Sequence, residues 1–282
     1  MLCARSAQIY KLPMRQLEKL LVELGCSTMD FLVIFLLAAL SFLLEVVDAS
    51  VGMGYGTLLT PVLLLLGFDS HQVVPAVLIS QLAGDFLAAF FHHQFRNVNL
   101  SIGSRHLNVA VTLGALSLMG AVVAVVISAE LPALFLNAYI SILLIIAGVI
   151  VLVTRNKKYG FSWIRLLSLG SLAAFNKGIS GGGYGPLVTS GQILSGIEAK
   201  SAIGIISLAE GVSCIVALLM YGLIGKSIDW LFAVPLSIGV AISTPMAAFV
   251  VKKIENKRFR LMIGVFTLLL GILTIMSLLH AS

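Results

Sequence analysis

The chain has 282 residues, of which 59% are hydrophobic and 11% charged, with a mean hydropathy of +1.08. This excludes an ordinary soluble globular domain and points to a polytopic membrane protein. A net charge of +6 raises nucleic acid as a partner, but the basic residues stand in short loops between apolar runs, where orientation in the membrane accounts for them.

Residues 1–29 form an N-terminal extension in which Met14, Leu17, Leu20, Leu21 and Leu24 fall at helical spacing, with Arg15, Glu18, Lys19 and Glu23 between them. That pattern fits a surface-lying amphipathic helix; an extension of little function fits it equally. The polar lead before Phe31 is too long for a secretory signal. Apolar segments then follow at about 31–47, 57–66, 72–95, 106–128, 132–154, 163–175, 186–194, 200–225, 230–251 and 260–279. Runs of roughly 17–25 residues suffice to cross a bilayer as helices, whereas a β-barrel would show short alternating segments. Cys3, Cys26 and Cys214 are too scattered for a disulfide framework or metal-ligand spacing. No metal and no cofactor is expected.

The two short segments each follow a glycine cluster, and the clusters repeat. A shift of 129 positions lays Gly52, Gly54, Tyr55, Gly56, Leu58, Thr60, Leu65 and Gly67 on Gly181, Gly183, Tyr184, Gly185, Leu187, Thr189, Leu194 and Gly196. Two homologous halves are expected, 30–154 and 163–282, joined by a cytoplasmic linker at 155–162. Positive charge concentrates in three loops, at Arg96 and Arg105, at Arg155, Lys157, Lys158 and Arg165, and at Lys252, Lys253, Lys257, Arg258 and Arg260. These should face the cytoplasm. Two full crossings between the second and third loops then force 163–194 to enter and leave on one side, as a re-entrant hairpin broken at its glycines. The same logic makes 31–66 a hairpin from outside, with the mildly basic N-terminus outside. If 31–47 crosses fully, that terminus moves inside and the symmetry fails. The expected fold is therefore an all-α membrane protein of two inverted repeats, each a broken-helix hairpin plus three transmembrane helices, an organisation characteristic of secondary transporters.

Non-helical backbone at membrane depth needs protein or a water-filled cavity to satisfy it, and glycine lets that backbone approach a ligand. Short helices beginning near Thr57 and Pro186 would turn free N–H groups and a positive dipole end towards the cavity, which favours an anion. Pro186 suits a first helical position. Lys177 is the one Lys or Arg inside the apolar core. The expected substrate site is Gly52, Gly54, Tyr55, Gly56, Thr57, Lys177, Gly181, Gly182, Gly183, Tyr184 and Gly185. The bland alternative is that the glycines permit tight packing and Lys177 snorkels to the interface. Glu45 and Asp48 share a helix face at i, i+3, Asp85 lies four residues after Gln81, and Glu210 is the repeat partner of Gln81. Carboxylates inside a membrane are neutral, paired or functional, and these four are candidates for ion or proton coupling. Asp48 also aligns with Lys177, so a salt bridge between the halves is the structural alternative. His92 and His93 read as interfacial residues.

The motif-bearing stretches SVGMGYGTLLTPVLLLLGF (50–68) and ISGGGYGPLVTSGQILSGI (179–197), opening two similar halves, resemble the sulfite exporter TauE/SafE family of membrane permeases from about residue 30 onward. The resemblance implies a multi-pass protein of the bacterial inner membrane that moves sulfite, a sulfonate or a related small anion with ion coupling. Met53 and Tyr55 interrupt a glycine run that is often denser in the family, and Glu45, Asp48 and Lys177 are additions that leave the substrate open. An anion channel or a non-transporting scaffold would share many of these features. An enzyme would need a nucleophile with a base or a metal cluster, and the H-E-x-x-H motif is absent.

Overall fold

The computed structural model describes residues 27–52, 55–68, 70–128, 133–154, 156–157, 159–180, 184–223 and 228–281, with the side chains of Thr57, Lys177 and Tyr184 outside that description. The amphipathic pattern at 14–24 lies outside the described residues. Ten α-helices and no strand occur among those described: α1 (Ser27–Val51), α2 (Tyr55–Leu65), α3 (Ser70–Gln94), α4 (Arg105–Ser128), α5 (Ala133–Val153), α6 (Trp163–Ser180), α7 (Tyr184–Leu194), α8 (Ala199–Leu223), α9 (Trp230–Lys253) and α10 (Asn256–Ala281).

Among the described residues, four stretches are long and apolar enough to cross a membrane: Leu32–Val51, Gln72–Gln94, Ala199–Leu219 and Trp230–Lys253. Their outward faces carry large apolar side chains, with Phe35 67%, Leu219 62% and Leu231 66% exposed. An apolar surface of this extent is stable only against lipid. Short α7 is the opposite case, with every residue from Gly185 to Ile193 buried.

The apolar segments and the helices agree closely, with two corrections. α1 runs past the expected end at 47 through Asp48 to Val51, and α6 past 175 through Lys177 to Ser180, so each helix carries its charged residue up to the edge of the break. The run Leu43–Val47 before Asp48 and the run Leu172–Asn176 before Lys177 hold no glycine or proline, which is enough to carry each helix into its polar end. Pro186 stands third in α7, still within the first turn, where its missing N–H leaves no bond unmade.

The repeat is visible in the helix bounds. α2 and α7 each span eleven residues, Tyr55–Leu65 and Tyr184–Leu194, and α3 and α8 each span twenty-five, both pairs offset by 129. α2 and α7 also end alike. Gly67 (φ +90°) and Gly196 (φ +92°) adopt the left-handed conformation, and the next N–H reaches back to Leu63 O at 3.2 Å and to Gln192 O at 3.0 Å. Packing follows the same exchange: α1 against α9 and α6 against α4, α9 against α3 and α4 against α8, with α3–α8 and α5–α10 pairing across the halves.

The hairpin of α6 and α7 opens on the face that carries the basic loops. Ser162 N donates to Ser195 O (3.0 Å), and Arg165 bridges Leu194 O (2.8 Å) and Gly160 O (2.5 Å). On the same face Arg260 donates to Lys157 O (2.6 Å) and Lys200 to Lys252 O (2.8 Å). The end of α2 lies elsewhere: Phe68 packs edge-on against Phe232 (4.9 Å between centroids), at the start of α9 and some twenty residues before Lys252.

α1 and α9 touch backbone to backbone at Gly239, where an added Cβ would strike the Ala38 carbonyl, with Phe42 N at 2.9 Å and Ser41 Cβ at 3.0 Å. Gly239→Val should destabilise the folded protein by roughly 1–3 kcal/mol through overpacking, read as a lower thermal midpoint in detergent. Gly222→Val, with nothing within 4 Å of its Cβ position, is the control and should leave that midpoint nearly unchanged.

Candidate functional site

The first glycine break begins where α1 ends. Gly52 N closes the last turn on Asp48 O (2.6 Å) while φ swings to +73°, a conformation open to glycine at little cost. A Cβ on Gly52 would lie 3.0 Å from Thr189 Oγ1 on α7 and 3.0 Å from Ile203 Cδ1 on α8. Thr189 Oγ1 also reaches Gly52 O at 3.5 Å. The break of the first half therefore sits directly on the short helix of the second. On its other side Gly56 lies so close to Gln81 that a Cβ would stand 2.5 Å from Oε1.

The remaining residues expected to bind substrate are placed unequally. Tyr55 is buried among Leu37, Leu59 and Leu236, and its hydroxyl donates to Ser80 Oγ (2.6 Å) and lies 3.0 Å from Ser41 Oγ, which donates to Leu236 O (2.7 Å). That network ties α2 to α1, α3 and α9. Gly185 is buried in the first turn of α7. Thr57, Lys177 and Tyr184 lie in helices by their backbone. Gly54, Gly181, Gly182 and Gly183 lie outside the described residues.

The acids converge. Glu45 and Asp48 from α1, Asp85 from α3 and Glu210 from α8 are all buried, and the carboxylates of Asp48, Asp85 and Glu210 present oxygens within 4.8 Å of one another. Glu45 lies within electrostatic reach of Asp48 and Glu210, and Thr244 Oγ1 of α9 stands 3.3 Å from its Oε1. Its approach depends on Gly84, where a Cβ would meet Glu45 Oε1 at 2.9 Å. Three carboxylates at this spacing form a donor set of the kind that holds protons or a hard cation.

Two residues given no role from the sequence belong to this neighbourhood. Cys214 Sγ lies 3.8 Å from Asp85 Oδ2, and the two are separated by 129 positions, so they are repeat partners meeting face to face. Aligning the acids with their equivalents would have found Cys214. His92 is fully buried within the protein: Asn97 Nδ2 donates to its Nδ1 (3.1 Å), so Nε2 carries the proton and donates to Ala49 O (2.9 Å). Asn97 also donates to Ala248 O (2.9 Å), so this pair ties α1, α3 and α9 together just beyond Asp48. Residues 178–182, Gly-Ile-Ser-Gly-Gly, have the G-x-S-x-G spacing of a hydrolase nucleophile turn, but residues 178–180 end a helix, and among the described residues no strand precedes them.

The glycine breaks, short helices and clustered acids lie within residues 37–274, and that whole stretch matches the family model described as Sulfite exporter TauE/SafE. The chain belongs to the sulfite exporter TauE/SafE family. It is thus a multi-pass membrane transporter. Among curated relatives, "Probable membrane transporter protein YtnM" of Bacillus subtilis (strain 168) is 25% identical over 262 residues, covering 88% of this chain and 84% of the relative. No solved structure matches. The TauE/SafE match takes in both glycine clusters, α2 and α7, and the buried acids Glu45, Asp48, Asp85 and Glu210.

Proposed function

We propose that this TauE/SafE protein is a secondary transporter that moves a small anion, sulfite, a sulfonate or a related organic anion, across the cytoplasmic membrane with proton or ion coupling. The observation that carries the reading is the seating of the first break on the second short helix, Gly52 against Thr189, next to buried carboxylates from three helices. A packing glycine could explain the contact, but it would not draw acids to the same depth, where each costs free energy unless it has a function or a partner. The N-termini of α2 and α7 and the Lys177 ammonium supply the positive field for the anion, and Glu45, Asp48, Asp85 and Glu210 supply the coupling.

The architecture behind this reading is a pair of inverted repeats, 30–154 and 163–282. Its support is the recurrence of helix bounds at 129 positions, together with the opposite exits of the two hairpins, one on the basic face and one at the far end of α9. Proteoliposome flux with sulfite, sulfate, sulfonates, thiosulfate and short carboxylates, with and without a proton gradient, tests the function. Saturable flux of one anion that responds to the gradient is the expected result. Flux indifferent to the gradient would favour a channel, and no flux of any anion would end the reading.

The gathering of the basic loops on one face supports a cytoplasmic orientation for that face. Cysteines placed at positions 99, 157 and 256 should resist membrane-impermeant maleimide in intact cells and react after lysis. Labelling of any of them from outside would overturn the cytoplasmic assignment.

A further inference from the structure

The basic face holds a cavity that the coupling site does not use. It measures about 540 Å³ and lies between loop 95–104 and the 196–201 turn, with His93, Arg96, Asn97, Arg105 and His106 in its wall and Glu198 as the one carboxylate lining it. Charge in a cytoplasmic loop is expected on orientation grounds alone, so the case rests on how these side chains are set.

Both imidazoles are fixed by the loop they border. Leu100 N donates to His93 Nδ1 and Asn99 N to His106 Nδ1, each at 3.1 Å. A nitrogen that accepts a hydrogen bond carries no proton, so the His106 ring holds its proton on Nε2 and is prepared as a donor, whereas His93 Nδ1 faces both Leu100 N and Val98 O (3.3 Å) and is held in place by the loop. Arg105 is steadied with its guanidinium over the Phe161 ring, 4.8 Å from the centroid. Arg96 is the least expected. It takes the left-handed position (φ +63°) that closes α3, with its N–H on His93 O (3.0 Å) and Asn97 N on His92 O (2.8 Å). The corresponding positions after α2 and α7 are Gly67 and Gly196, the residue type that this conformation favours. An arginine held in a glycine conformation at the rim of a cavity points to a use for its side chain.

We propose that this cavity is an oxyanion-binding site, with Arg96 and Arg105 supplying guanidinium donors and His106 supplying Nε2–H, and that it stages the transported anion at the cytoplasmic mouth. The chemistry stands on the cavity; the staging role rests on the transport reading above. Glu198 in the same wall weakens any anion held there, which suits a site that must release its ligand. A free oxyanion and the phosphate of an anionic lipid headgroup satisfy the same donors.

The test uses the full chain carrying Lys177→Met, so that sulfite binding at the central site is weakened, in nanodiscs of neutral phosphatidylcholine titrated with sodium sulfite at low salt. Arg96→Gly removes the charge and at the same time relieves the backbone, so its thermal midpoint should hold or rise while sulfite affinity falls roughly fivefold or more. Affinity should also fall with ionic strength. In the second arm the nanodiscs contain phosphatidylglycerol. Unchanged sulfite affinity there makes the free anion the ligand, and weakened affinity that Arg96→Gly abolishes makes the headgroup phosphate a competitor; both outcomes support the site. Equal sulfite binding by the parent and Arg96→Gly in both lipids overturns it. Proteoliposome flux is scored separately, so a protein that moves no anion yet loses sulfite binding on Arg96→Gly would sink the transport reading and leave the site standing.

Discussion

Asp48→Asn and Asp85→Asn should leave sulfite affinity within about twofold of the parent while removing the dependence of flux on the proton gradient. The reason is geometric. Asp48, Asp85 and Glu210 hold carboxylate oxygens within 4.8 Å of one another inside the protein, and groups this close cannot all be ionised without a cation or a proton among them. Occupancy of the cluster therefore responds to whatever charge arrives beside it, which is what coupling an anion to a proton requires. An amide keeps the volume and the acceptor oxygen but neither ionises nor takes up a proton at neutral pH, so the contact with Cys214 Sγ at 3.8 Å survives while the exchangeable charge is lost. The measurements are sulfite uptake into proteoliposomes with and without an imposed gradient, and sulfite binding to purified protein. Flux in both variants that tracked the gradient as in the parent would remove the acids from coupling. A lower thermal midpoint together with lost binding would assign them a structural role.

Much of the fold could be read from the sequence because its strongest signals are local. Apolar runs bounded by charge gave helices to within a few residues, and the G-x-G-Y-G spacing gave the repeat that the helix bounds follow. Neighbourhood was harder. The face shared by Glu45 and Asp48 follows from i, i+3 spacing, but in an all-apolar helix periodicity does not say which other helix that face meets, so the arrival of Asp85 and Glu210 was not legible. Tyr55 shows the same limit from the other side. Its place in a glycine motif suggested a ligand contact, whereas its ring fills the core and its hydroxyl is engaged by Ser41 and Ser80, residues with no sequence mark. His92 is comparable. Proximity to a basic loop suggested the interface, and only tertiary packing brings the Ala49 carbonyl to its Nε2 and Asn97 to its Nδ1.

Lys177→Met should lower sulfite affinity about ten- to a hundredfold. Lys177 lies in the last turn of α6, four residues before the glycine run that separates this helix from α7, and it is the one Lys or Arg of the apolar core. A cation facing a bound anion in a poorly solvated site makes a charge-assisted hydrogen bond of roughly 1.5–3 kcal/mol, and its removal produces a loss of this size. The repeat makes the expectation sharper, because Asp48 occupies the equivalent position in the first half. If Lys177 serves the anion, Lys177→Met should bind sulfite poorly and remain folded, and adding Asp48→Asn should not restore affinity. If instead Lys177 and Asp48 pair across the halves, Lys177→Met leaves a buried carboxylate without its cation, costs roughly 3–5 kcal/mol of stability, and is rescued by Asp48→Asn. Thermal unfolding of the two single variants and the double variant, alongside calorimetric sulfite binding, separates these outcomes. Normal binding by Lys177→Met with a thermal midpoint recovered in the double variant would overturn the anion role.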